Sequence, residues 1–392
     1  MSCTIYSHTF TSNHHEVFPS DLDLIIGSIP SQLKGNEILA TLNKRFPKAH
    51  KYLATSCRGY FNQEQVHLDQ SIALFGFADA ERDYGSAAGE ITNVSEVSNL
   101  VYLLLETASL RAGRSGELPA LVWMSASPGY EEQIITAIQS FYNTQIMICE
   151  GSAADDHIEG KWWISDQFQV YTQGLVLSVL YPTGQLFTRF SSGYFLTDQS
   201  GIVTECDKRK IKKINHQSAA LVYNKWNQNR LAHLMRGGKI LAESTYAPLA
   251  IQKGAVGSIP YFQVIHPKEI EGDLGISIFA DIHKGDRIYL LNGDEENLVS
   301  RARRVVKGAL IDANCDMNHV KGALIIFCAG CFLAVQHRIE EVWQQVQEEI
   351  PSIPLLCQFT FGEQGIFPQG ECVHGNLMIS VVLFVDQSFD KI

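Results

Sequence analysis

Residues 22–55, LDLIIGSIPSQLKGNEILATLNKRFPKAHKYLAT, decide the fold class. An apolar run from Leu22 to Ile29 is closed by Pro30, after which Ile38, Leu39, Leu42 and Phe46 recur at the spacing of one helix face, and a second apolar run covers Tyr52 to Thr55. Strand, helix and strand in that order predict a layered α/β arrangement. Upstream, residues 1–20 are polar, rich in Ser, Thr and His and without a clear period, which reads as a tail or an edge segment.

Downstream the alternation continues. Residues 71–78 read as a strand, and Val97, Leu100, Val101 and Leu104 share a helix face. Residues 111–117 form a loop and 120–124 a short buried strand. Ser127 before Pro128 reads as an N-cap, with Glu131 and Glu132 suited to the first turn of the helix that follows. The strand 145–149 then runs into a small-residue turn. Segments 167–180 and 185–190, joined by Tyr181-Pro182-Thr183-Gly184, predict a hairpin. Polar residues 191–206 and a new helical period near Gln217 place a boundary close to Lys212, dividing the chain into a tail 1–20 and domains 21–212 and 213–392. The second domain repeats the style, with strands at 274–279, 287–291, 322–327, near Leu355 and at 377–385, and helices at 297–312 and 338–349. The expected class is α/β with mixed α+β character: two layered domains whose mixed sheets are flanked by helices.

The 392 residues include 45% hydrophobic and 19% charged side chains, enough for more than one packed core and too apolar for long disorder. A net charge of -11 argues against nucleic acid, which demands clustered Lys and Arg. The one dense basic run, Lys208, Arg209, Lys210, Lys212 and Lys213, suits an exposed strand or turn. No apolar stretch is long enough to span a membrane, the first 30 residues lack a leader pattern, and the nine cysteines show no framework spacing, so a reducing cytoplasm is expected. Glycine-rich dinucleotide turns, P-loops, zinc-protease helices and nucleophile elbows are missing, so an enzyme is not indicated.

Small or unusual residues instead cluster where strands end: Ser56-Cys57-Arg58-Gly59, then residues 151–156 beginning at Gly151 and including Asp155, then Cys328-Ala329-Gly330-Cys331, and finally Phe359-Thr360-Phe361-Gly362-Glu363. Each could be a tight turn. Four together point to a ligand crevice, because short side chains at strand ends let a ligand approach the backbone.

These residues carry a family resemblance. The chain resembles a FIST protein, with both halves of that sensory domain spanning about residues 22–383. Residues 56–59 are similar to the family's small-residue turn, 151–156 to its Gly-Gly-x-x-Gly-Asp turn and 284–286 to its glycine turn before a strand. Residues 328–330 are similar to its Cys-x-Gly-Arg segment, Gly362-Glu363 to its Gly-Glu pair, and His374-Gly375-Asn376 to its His-Asn segment. Glu150 and Ala154 stand where glycines are common, Cys331 where arginine is usual and Cys357 where glycine is frequent. The resemblance implies an input module of bacterial signal transduction that binds a small ligand such as an amino acid. Stand-alone members imply a finer reading: a b-type haem, nitric oxide sensing and a partner histidine kinase or other signalling protein. By that resemblance the ligand contacts fall on Ser56, Cys57, Arg58, Gly59, Gly151, Asp155, Cys328, Gly330, Gly362, Glu363 and Asn376, with Asp155 and Glu363 either touching the ligand or bracing loops.

Haem needs an axial ligand in an apolar pocket. His266 follows an apolar strand-like run and precedes Pro267, and His374 lies in the family segment, so both are axial candidates; either could equally be a hydrogen-bonded turn histidine. His67 and His337 are further histidines of the same kind. Cys328 and Cys331 have the spacing of a redox or metal pair, although a single such pair lacks the second one a structural zinc site takes.

Overall fold

The computed structural model describes residues 3–10, 18–79 and 83–386. Its mixed sheets, flanked by helices, bear out the expected α/β class. The central element is a unit used three times. In the first, strand Leu24–Pro30, helix Gly35–Arg45 and strand His50–Ser56 form a parallel pair with its crossover, and strand Ile72–Ala78 runs antiparallel on the other flank with Thr4–Phe10 at the edge. The N-terminal segment is therefore an edge strand over its described part; residues 11–17 of the expected tail lie outside the described residues.

The second unit repeats that order with Leu121–Ala126, helix Glu131–Tyr142 and Ile148–Gly151, flanked by Gly174–Tyr181 and the edge strand Asp83–Glu90. The third uses Val320–Cys328, helices Ala329–Val335 and Ile339–Glu349, and Leu355–Thr360, flanked by Met378–Val385 and Gln185–Ser192. Between its edge strand and its helix Glu295–Ala313 the third unit carries an insertion, a nine-stranded sheet with Phe195–Asp207 and Arg287–Asn292 near its middle and the hairpin Leu249–Val256 and Ile259–Ile265 at one side.

Period-two alternation explains how the three units assemble. Leu24, Ile26 and Tyr52 from the first sheet, Leu121 and Trp123 from the second, and Leu324, Ile326 and Leu356 from the third share one buried cluster. Their strand neighbours Ile25 and Leu53, Val122 and Ile148, and Ile325 and Leu355 face outward into separate layers beneath the helices. Strands buried on both faces need continuous apolar runs, which is why residues 22–29 and 320–328 show no polar alternation.

The three second strands close a ring at their ends. Cys57 N–H donates to Phe359 O at 2.8 Å, Phe361 N–H to Ser152 O at 3.0 Å, and Ala154 N–H to Thr55 O at 2.8 Å. Acceptor and donor are two residues apart in each unit, so the three strand-end turns occupy equivalent positions around one axis. Residues from both sides of position 212 build these sheets: Tyr60–Asn62 pairs with Leu355–Thr360, and Glu363–Ile366 with Ile148–Gly151.

Two local expectations are corrected. The strands flanking Tyr181-Pro182-Thr183-Gly184 are not a hairpin. Gly174–Tyr181 pairs within the second sheet and Gln185–Ser192 with Met378–Val385 in the third, so the turn passes the chain from one sheet to the next. Ser127 does not cap the helix at Glu131. Its hydroxyl donates to Thr172 O at 3.1 Å and accepts from Gly174 N–H at 2.9 Å, which ties the strand end to the neighbouring strand before the helix starts.

Candidate ligand cavity

A cavity of about 690 Å³ opens where the second and third units meet the inserted sheet. Turn Pro128-Gly129 with Glu131 forms one wall and Trp162 another. The strand ends Cys328 to Gly330 and Thr360 to Gly362, with His374 and Asn376, line it from the third unit and the hairpin after it, while Thr245, His266, Lys268 and Phe279 line it from the insertion. Of the residues marked in the sequence, Cys328, Gly330, Gly362, Asn376, His266 and His374 are brought together here.

Asn376 links the two histidines. His266 N–H donates to Asn376 Oδ1 at 3.1 Å, so the amide nitrogen faces His374 and donates to Nε2 at 3.3 Å. With Nε2 accepting, the His374 proton belongs on Nδ1, and the Gln364 amide 3.1 Å away must present its oxygen to it. That orientation turns the Gln364 amide nitrogen toward the place of its unpartnered buried oxygen. Gly362 makes room for this arrangement: at φ +82 it carries no Cβ, and one would lie 2.3 Å from His374 Cε1. His266 is buried, and its Nε2–H donates to Leu241 O at 3.1 Å, leaving the Nδ1 lone pair beside Gly330. Burial lowers its pKa to about 4, keeping the ring neutral.

Glu131 and Arg209 join the second unit to the insertion. Glu131 is 1% exposed; it accepts from Ser152 Oγ at 2.7 Å, Gly129 N–H at 3.0 Å and Arg209 Nη2 at 2.8 Å. Arg209 also engages Glu132, and Asp281 at 2.9 Å. Burial alone would push the Glu131 carboxyl up, but the Arg209 guanidinium beside it, by charge and by hydrogen bond, draws it down, and it lies well below the usual carboxylate range. Within the basic run Lys210 also pairs with Glu271 and Asp273, Lys212 with Asp207 and Lys213 with Glu205. Lys268 differs. Its ammonium stands 5.9 Å from the Phe279 ring centroid and makes no ion pair among the described residues.

The remaining marked residues brace the fold. Ser56 Oγ donates to Gly59 O at 2.7 Å and accepts from Phe359 N–H at 3.0 Å, and Cys57 is buried in the ring. Arg58, at φ 57, reaches Gln336 Oε1 at 3.0 Å, and Gly59 adopts φ +136 against the His67 carbonyl. Gly151 lies opposite Glu363 in the sheet. Asp155 accepts from the N–H groups of His157, Glu159 and Lys161 at 2.8 to 3.2 Å, donors that outweigh the effect of burial and lower its pKa. Glu363 is fully buried, with Oε2 accepting from Met378 N–H at 2.9 Å; burial pushes its carboxyl well above the usual range. His67 stacks on Tyr60, and exposed His337 pairs with Glu295. Among the described residues no group of three or more His, Cys, Asp and Glu could hold a metal, so Cys328 and Cys331 lack the further ligands of a zinc site.

Sequence reasoning missed Lys268, Trp162 and Phe279, and assigned Glu131 to a helix dipole and Arg209 to a solvated run. Only Lys268 carried a local signal, standing two residues after His266 in the same strand-forming stretch.

Among the described residues no helix is long and apolar enough to cross a membrane. A search of curated proteins returned no match. Among solved structures, the cyanuric acid hydrolase from A. caulinodans aligns over 98% of this chain and 99% of its own at 7% identity and a TM-score of 0.36, too distant to carry an argument. The FIST N domain model matches residues 21–217 and the FIST C domain model residues 219–366, meeting where the basic strand gives way to the first helix of the insertion. Two matched halves that together span most of the chain identify it as a member of the FIST family of ligand-sensing signal-transduction domains.

Proposed function

We propose that the cavity binds a small organic ligand bearing a carboxylate, an amino acid being the simplest case. The observation that carries this reading is Lys268: it is the cavity's unpaired cation, whereas the Glu131 carboxylate is already occupied by Arg209, Ser152 and Gly129. A carboxylate beside Lys268 gains a charge-assisted bond in partly dry surroundings. An ammonium on the same ligand finds the neutral His266 Nδ1 as an acceptor, and Trp162, Phe279 and Phe361 receive an apolar side chain. The walls come from the inserted sheet and from the second and third units, so occupancy biases their mutual position, which a signalling partner such as a histidine kinase then reads.

A b-type haem fits these residues poorly. His266 Nε2 is held by Leu241 O at 3.1 Å and both nitrogens of His374 are hydrogen-bonded, so iron at any of these three would displace a partner already in place. Nitric oxide sensing through haem, and a cytoplasmic setting for it, therefore rank behind the carboxylate ligand. Protein mixed with hemin gives no Soret band on this reading, and a stoichiometric band would reverse the ranking.

Calorimetric titration with a panel of amino acids and of the matching decarboxylated amines tests the proposal. At least one amino acid binds, its amine does not, and Lys268→Met weakens binding by about tenfold or more with Tm unchanged. Equal binding by Lys268→Met, or by the amine, overturns it.

A further inference from the structure

Behind the cavity wall, Cys328-Ala329-Gly330-Cys331 turns from strand Val320–Cys328 into helix Ala329–Val335. Cys328 lines the cavity, whereas Cys331 is fully buried one turn further on. Residues three apart at a helix start hold their Cα atoms about 5–6 Å from one another, within the span that a disulfide bridges. Arg301, on helix Glu295–Ala313, is 1% exposed; its Nη1 donates to Cys331 Sγ at 3.2 Å, while Nε and Nη2 have no partner. The Tyr194 hydroxyl lies 3.6 Å from the same sulfur.

A buried guanidinium cannot shed its charge and requires an anion. The atom it reaches is Cys331 Sγ. Glu363, the acid nearby, makes no hydrogen bond to Arg301; burial pushes its carboxyl well above the usual range, one oxygen accepts from Met378 N–H and the other is unpartnered. Burial would push the Cys331 thiol up, but the Cys328 thiol, the guanidinium and the Tyr194 hydroxyl outweigh it and bring it below its ordinary value, whereas burial leaves Cys328 well above its own. A cation seated 3.2 Å from Cys331 Sγ favours the loss of one of the pair's two protons.

We infer that Cys328 and Cys331 are a dithiol site that reacts with low-molecular-weight disulfides entering the cavity, with Arg301 stabilising its anion. The proton on Cys328 passes to Cys331, leaving the thiolate on the sulfur that the cavity reaches. Cys328 Sγ attacks one sulfur of R–S–S–R, forming Cys328–S–S–R and expelling R–S⁻. Cys331 gives its proton to that thiolate and attacks Cys328 Sγ, forming the Cys328–Cys331 disulfide and expelling the second R–S⁻. Two electrons pass from the dithiol to the reagent, which leaves as one R–SH and one R–S⁻. The inference needs the cavity but not the carboxylate ligand.

The test treats native protein with bis(2-hydroxyethyl) disulfide, quenches with acid and maps tryptic peptides; residues 322–338 form one peptide holding Cys328 and Cys331 and no other cysteine. The expected result is loss of two hydrogens from this peptide, faster than the partly exposed Cys206 and Cys315 acquire the reagent. Cys331→Ser, with its melting curve confirming the fold, stops at a mixed disulfide on Cys328; Cys328→Ser leaves Cys331 unmodified. Arg301→Met slows the reaction by about tenfold or more, the effect of withdrawing the thiolate's counter-ion. A peptide 322–338 that stays reduced while Cys206 and Cys315 react overturns the inference, as does a mixed disulfide that persists in the native sequence.

Discussion

Replacing Arg209 with methionine removes the guanidinium from three carboxylates at once, and the loss falls on the buried one. Glu132 and Asp281 have side chains 22% and 48% exposed and regain water, whereas the Glu131 side chain is 2% exposed and keeps only Ser152 Oγ and Gly129 N–H. Breaking a buried pair by deleting one partner costs about 3–5 kcal/mol, and the surviving hydrogen bonds place this case near the lower figure, about 3 kcal/mol. The pH dependence checks the cause. The native Glu131 carboxyl is depressed from its ordinary 4.5, so its stabilisation is complete above that value and is lost as pH falls through the native pKa. Without Arg209 that pKa rises, and the variant's deficit is largest at pH 7 and shrinks toward pH 4. Urea unfolding at several pH values reads both effects. The double variant Glu131→Gln with Arg209→Met, which buries a neutral amide, recovers at least half of the loss. A single variant within about 0.5 kcal/mol of the parent at pH 7, or a deficit independent of pH, refutes the argument.

Gly59→Ala drives a Cβ to 1.9 Å from the His67 carbonyl at φ +136, whereas Gly113→Ala, at φ +70, meets nothing; in thermal melts the first costs about 2 kcal/mol or more and the second about 1 kcal/mol. Asp155→Ala frees three backbone N–H groups and lowers stability by about 1–3 kcal/mol, while calorimetry finds ligand affinity unchanged because Asp155 does not line the cavity. His266 binds a proton in the unfolded chain at about 6.5 but only at about 4 when folded, so it lowers stability as pH falls between those values; His266→Gln gives a flatter profile over that window, read by urea midpoints.

The element types were legible because the strands are buried on both faces and the helices on one. Runs such as 22–29 and 52–55 and the Ile134, Ile135 and Ile138 stripe each had a single reading. Partners were not. Tyr181 to Gly184 has the composition of a hairpin turn, and local sequence does not record that the two strands it joins bond to different sheets. The threefold use of one unit was hidden for a related reason. It is a repetition of topology in which the equivalent ring residues are Cys57, Ala154 and Phe361, side chains with nothing in common, since each enters the ring through its backbone N–H.

The same fact explains which marked residues line the cavity. The three strand-end turns are equivalent around the ring, yet the insertion covers only one side, where the third unit's ends meet the second unit's turn at Gly129. Small residues at Ser56 to Gly59 and at Gly151 serve the ring, where backbones approach closely: a Cβ on Gly151 would lie 2.1 Å from Thr360 Oγ1. Gly362 serves it too, its carbonyl accepting from Ser152 N–H, but on the side the insertion roofs over, and so it also faces the cavity, as does Gly330 at the start of the third unit's helix. Small side chains at strand ends therefore report close packing at all three turns and a ligand site at one. What separates them is the partner across the gap, Lys268 and His266 on a sheet inserted after residue 192, a distance in sequence over which no periodicity or spacing can be read. Arg301 makes the same point beneath the cavity. Thirty residues before Cys331, it places a guanidinium nitrogen 3.2 Å from that sulfur, a contact that the spacing of the two cysteines does not record.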